Sequence, residues 1–134
     1  MRSSILILLI LLIPILSCSN SPQDYINKGY EKIVDGDYKG ALQQFNKAIE
    51  LDSSNIEAYN NRGIVLGVLG DHVRAIQDFN RAIVLNPHDS EAYKSRGISK
   101  LYLSQKTSGC LDLAKAEQMG YPGAYELIEE FCSE

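Results

Sequence analysis

Residues 59–87 read YNNRGIVLGVLGDHVRAIQDFNRAIVLNP, and two helices joined by a turn can be read from them directly. Tyr59, Gly63 and Leu66 recur at the four-and-three spacing of one helical face, and so do Ala75, Phe79 and Ala82. Between the two sets stands Leu69-Gly70-Asp71. Glycine takes the left-handed conformation that closes a helix, and the aspartate after it can cap the next one. The stretch is therefore a helix, a tight turn and a helix running back. Gly63 and Ala75 let the two helices approach, Ala82 leaves room for a following pair, and Phe79 fills the space left between them.

Outward from this stretch the same features return with a period of 34. Tyr25, Tyr59 and Tyr93 share one phase, as do Gly29, Gly63 and Gly97, and the basic residues before them, Lys28, Arg62 and Arg96. The second helix repeats as Ala41, Ala75 and Gly109, as Phe45, Phe79 and Leu113, as Lys47, Arg81 and Lys115, and as Ala48, Ala82 and Ala116. Gly36-Asp37 carries the turn signal one period earlier. A fixed period of this length marks stacked supersecondary units.

The pattern resembles the tetratricopeptide repeat: an aromatic residue followed by x-x-Leu-Gly-x-x-Tyr, then Ala-x-x-x-Phe, then Ala, then Pro. The middle copy matches at Tyr59, Gly63, Leu66, Ala75, Phe79, Ala82 and Pro87, with Arg62 at the usual leucine. The first copy keeps Tyr25, Gly29, Ala41, Phe45 and Ala48 and lacks the final proline, whereas the third starts well at Tyr93, Arg96 and Gly97 and then decays. The resemblance implies an all-α solenoid of three helix-turn-helix repeats, at 22–55, 56–89 and a degenerate 90–121, closed by a capping helix over 122–134. Ala124, Leu127, Ile128 and Phe131 give that cap an apolar side, and Glu126, Glu129 and Glu130 face solvent from it. Such caps cover the last apolar face of a stack.

The first 17 residues are set apart. Arg2 is the only charge before Asp24, and Ile5 to Leu16 is apolar apart from Pro14. A bilayer-spanning helix takes roughly 20 residues, so this shorter run reads as an export signal. Its end, Ile15-Leu16-Ser17-Cys18, resembles the lipobox of bacterial lipoproteins. That resemblance implies cleavage before Cys18, lipid on its sulfur and on the new amino terminus, and stable membrane anchoring by two or three acyl chains. An ordinary signal peptide that contains Cys18 is the alternative. Residues 18–22 then read as the lipidated cysteine and a polar tether. Ser19 after the cysteine, by resemblance to enteric lipoproteins, points to the outer membrane, facing the periplasm.

Charge narrows the partners. The chain carries 13 Lys+Arg against 17 Asp+Glu, a net charge of −4, and loss of Arg2 with the signal makes it more negative. Nucleic-acid binding needs a concentrated basic face, which is not here. With Cys18 lipidated, Cys110 and Cys132 remain, eleven residues before and eleven after Tyr121. A hairpin turning near Tyr121 would bring them together as a disulfide; two buried free thiols or a reduced pair remain as alternatives.

The sequence carries no recognisable catalytic set, metal-site spacing or cofactor signature. His72 and His88 read as exposed helix-end or turn residues. Asp35 and Asp37 flank Gly36 without the rest of a calcium loop. Asp71 and Asp78 on one helix read as solvated. The expectation is therefore a non-enzymatic protein-binding module, a lipid-anchored envelope adaptor or assembly factor, with a self-associating structural lipoprotein (a homodimer) as the alternative. In the resembled family the first helix of each repeat lines the concave groove. This places Ile26, Tyr30, Asn60, Ile64, Lys94 and Ile98 there, to take a peptide or helix of a partner protein. Relatives that grip a chaperone's C-terminal carboxylate use lysines, asparagines and an arginine. The matching positions here hold Ile26, Tyr30, Asn61, Glu91 and Ser95, so that mode is not expected.

Overall fold

The computed structural model describes residues 20–133. The expected export signal over 1–17, Cys18 and Ser19 lie outside them. Among the described residues seven helices follow in order: α1 (Pro22–Val34), α2 (Tyr38–Leu51), α3 (Ile56–Val68), α4 (His72–Leu85), α5 (Ser90–Tyr102), α6 (Lys106–Gln118) and α7 (Ala124–Phe131). Each packs on its neighbours in sequence, giving three antiparallel pairs and a cap. None of the described helices is long and apolar enough to cross a membrane.

The helix ends follow the sequence. Gly36 and Gly70 have φ of +74° and +84°, and Asp37 and Asp71 accept the backbone N–H of Gly40 and Arg74. Those bonds occupy helix-terminal donors that would otherwise lack a partner. The Gly40 N–H and the Lys32 ammonium hold the Asp37 carboxyl below its usual range. Ser21 does not belong to a tether. It caps α1 in a reciprocal capping box with Asp24, and Pro22 opens the helix. A serine, a proline and an acid three residues on form a helix start, which the reading of 18–22 as lipidated cysteine and polar tether overlooked.

The third pair lacks both turn devices. Ser104 stands where the glycines stand, at φ +59°, and Gln105 makes no side-chain cap for α6. A side chain in the left-handed region is strained, and a missing cap costs about 1 kcal/mol. Ser104→Gly with Gln105→Asp is expected to raise stability by about 1–2 kcal/mol. An unchanged urea midpoint would show that this turn is not a weak point.

The core lies between the helices of each pair. Phe45 and Phe79 are fully buried, each with its ring against a glycine of the preceding helix, Gly29 and Gly63. The third pair keeps the antiparallel packing although its sequence pattern decays, and it packs by a different rule. Gly97 and Gly109 face each other, and a Cβ added to either would lie 2.9 Å from the carbonyl oxygen of the other. Two glycines bring the backbones of α5 and α6 together, so the smaller Leu113 fills the space and is fully buried.

Cys110 on α6 and Cys132 after α7 are joined by a disulfide across 22 residues, with Cα atoms 5.8 Å apart. Ala124 is buried and Leu127 and Ile128 are half-buried against the stack, with the three glutamates outside. Phe131 does not complete that apolar side, being 44% exposed. With so few apolar contacts, α7 depends on the bond. Reduction, or Cys110→Ala with Cys132→Ala, is expected to cost about 3 kcal/mol in the chain-entropy model. Amide exchange should rise first in α7, and an α7 as protected after reduction as before would refute the dependence.

Candidate functional site

Residues of α1, α3 and α5 share one side of the stack, and two adjoining cavities lie along it. The first, of about 500 Å³, lies between α3 and α5 and is lined by Ile64, Val68, His72, Lys94, Ile98 and Tyr102, among others. The second, of about 370 Å³, is polar and is lined by Tyr30, Glu57, Asn60, Asn61, Asp89 and Glu91, with Ile64 shared between the two. Five of the six groove residues expected from sequence therefore line this wall.

Ile26 does not. It is fully buried, in one cluster with Ala41, Phe45, Ala48, Ala58 and Val65. Its position is that of Asn60 and Lys94 in the later copies, but the side chain is apolar. Turning into the core removes about 0.8 kcal/mol of unfavourable exposure per methylene, a gain that asparagine and lysine cannot make.

The polar groups are bonded to one another. The Tyr30 hydroxyl donates to Glu57 Oε1 at 2.9 Å and accepts from Asn61 Nδ2 at 2.8 Å, linking α1 to α3. Burial, and then the bond to Glu57, push the Tyr30 hydroxyl above its ordinary pKa. Asn60 Nδ2 donates to Asp89 Oδ2 at 2.7 Å, joining α3 to the cap of α5. The Lys94 ammonium lies over the Tyr121 ring, 5.1 Å from its centroid. Tyr30, Asn60 and Lys94 thus shape the wall as well as lining it, whereas Ile64 is 37% exposed and has no such engagement.

His72 was expected to be exposed. Instead its ring stacks on Tyr102 with centroids 4.5 Å apart and planes 4° apart, and it forms part of the wall of the apolar cavity. Tyr38, an aromatic residue one period earlier, was the signal that could have shown this.

Behind the groove runs an ion-pair ladder. Asp78 was expected to be solvated and is buried instead. It accepts two bonds from Arg62, at 2.8 and 2.7 Å, while Arg62 Nη1 donates to Asn46 Oδ1 at 2.8 Å. One period on, Arg96 bonds Asp112 and Asn80 with the same geometry, and Lys100 adds a contact to Asp112 at 2.7 Å. The carboxylates raise the pKa of both guanidinium groups further. Arg62 replaces the usual leucine because it has this partner sixteen residues on. Among the described residues, no cluster of histidine, cysteine or acidic side chains could hold a metal ion.

Family models described as TPR repeat and as tetratricopeptide repeat match residues 29–70 and 56–89. Residues 29–89 are tetratricopeptide repeats. Solved tetratricopeptide structures carry the same fold over most of the chain. The first such domain of Spaghetti (RPAP3), solved with the HSP90 peptide SRMEEVD, is 21% identical at a TM-score of 0.80, covering 83% of this chain and 90% of that one. The TPR2B domain of yeast Sti1, in a complex with pHsp70, is 21% identical at a TM-score of 0.76, with 82% and 92% covered. MamA is 23% identical at a TM-score of 0.72, with 78% and 61% covered. A comparison with curated proteins finds no match.

Proposed function

We propose that this tetratricopeptide protein is a non-enzymatic interaction module, a lipid-anchored adaptor or assembly factor of the bacterial envelope. It holds a peptide or helix of a partner protein in its concave groove. The observation that carries the reading is the open cavity of about 500 Å³ between α3 and α5, where Ile64 and Ile98 are accessible. Apolar clefts of this size with a few polar groups are the usual form of binding sites. The likeness to domains solved with bound peptides supports the same use of the fold. The short apolar run before Cys18 supports the anchor, and Ser19 supports an outer-membrane site facing the periplasm. A self-associating structural lipoprotein is the second reading, favoured by the exposed Tyr102 and Phe131 at the capped end.

A photo-crosslinking residue at position 64, in native cells, tests the groove. A discrete adduct with another protein, lost when Ile98→Glu is added, is the expected result. An adduct at twice the chain's own mass would favour self-association, and no adduct would overturn the groove. Labelled palmitate should enter the wild type and not Cys18→Ala; an unlabelled wild type would overturn the anchor.

A further inference from the structure

The groove wall changes character along its helices. At the N-terminal ends of α3 and α5, Glu57, Asp89 and Glu91 line the polar cavity, and no basic side chain lies on its wall. None of the three is in an ion pair among the described residues. Of the cations nearby, Arg62 and Arg96 are neutralised by their buried aspartates, and Lys94, on the wall of the adjoining cavity, has its ammonium over the Tyr121 ring. At the C-terminal ends, Ile64, Val68, Ile98 and Tyr102 give an apolar surface. It continues past Ile98 and Tyr102 into a cleft of about 440 Å³ at Leu127 and Phe131.

We propose that the groove takes a segment of a partner protein that is cationic at one end and apolar at the other, its basic residues seated among Glu57, Asp89 and Glu91. The proposal rests on the groove reading above and names the chemistry of its occupant. Carboxylates without a counter-cation beside a cavity attract a cation and repel an acid. An acidic C-terminal tail, such as the HSP90 peptide held by the Spaghetti domain, is excluded on the same ground. A second copy of this chain suits the site less well, because its net charge is already −4.

The test is a displayed library of random peptides selected on the detergent-solubilised full chain. It is repeated on Glu57→Lys with Glu91→Lys, and on a control of equal charge change outside the groove, Glu50→Lys with Glu117→Lys. Wild type and control should enrich segments with lysine or arginine at one end and aliphatic or aromatic residues at the other. A representative peptide should lose at least about tenfold in affinity on the groove variant, and less at high salt. Enrichment of acidic or charge-neutral apolar peptides would overturn the proposal and leave the groove intact. The same pool from the groove variant as from wild type would also overturn it. No enrichment, or enrichment unaffected by Ile98→Glu, would remove the groove itself.

Discussion

Asp112→Ala is expected to destabilise the protein by about 4–5 kcal/mol, the largest loss from any single polar substitution in the chain. The carboxylate is 6% exposed and neutralises both Arg96 and Lys100, whose side chains are 17% and 16% exposed. Removing it leaves two mostly buried cations without a counter-charge, and stranding a buried charge is what makes such losses large. Asp78→Ala should cost less, about 3 kcal/mol, because it strands Arg62 alone and that side chain is 22% exposed. Exchanging the whole pair, Arg62→Leu with Asp78→Leu, should bring the loss to about 1 kcal/mol or below, since apolar side chains of similar volume often replace a buried ion pair at little cost. Urea unfolding of the four proteins measures the series. A double variant as unstable as Asp78→Ala would mean that the aspartate matters for something other than its partner.

Gly63→Ala and Gly97→Ala should both destabilise, and they should differ in whether they can be rescued. At Gly63 the new methyl would lie 2.7 Å from Cε1 of the Phe79 ring, a buried side chain with no room to turn. Overpacking of this kind costs about 2–3 kcal/mol. Phe79→Leu removes the obstructing ring edge, so the Gly63→Ala, Phe79→Leu double variant should recover part of the loss even though Phe79→Leu alone destabilises. At Gly97 the obstruction is the Gly109 carbonyl oxygen at 2.9 Å. Backbone cannot be exchanged, so α5 and α6 must move apart, and no substitution at Leu113 should restore stability. Thermal melts of the two single variants and their doubles distinguish the cases. Equal rescue at both sites would refute the claim that the third pair is held backbone to backbone.

The parts that were legible in the sequence share one property: they are local or strictly periodic. Gly36-Asp37 and Gly70-Asp71 announce their turns because φ above zero and helix capping are requirements of single residues. The glycine and phenylalanine of the first two copies announce their packing because a small residue needs a large one opposite. Asp78 was misread because its partner lies sixteen residues away on another helix, and nothing local separates a paired aspartate from a solvated one. Ile26 was misplaced because the period carries a backbone position while the side chain decides which way that position faces. Gly109 and Leu113 looked like erosion of a pattern because each was compared with its own column. Only the contact between the two helices shows that one loss compensates the other.

The ladder also constrains how a chain of this kind can change length. Each rung takes an asparagine from one unit and an arginine and an aspartate from the next, as in Asn46 with Arg62 and Asp78, then Asn80 with Arg96 and Asp112. A duplicated copy of residues 56–89 inserted in the middle would both receive a rung and offer one. After the third unit the series stops, because Ala114 stands where the next asparagine would be, and the bonded α7 covers the face beyond. New units can therefore be inherited from within the array and not added at its end, so copy number in descendants of such a gene should vary at the centre while the two termini stay recognisably the same.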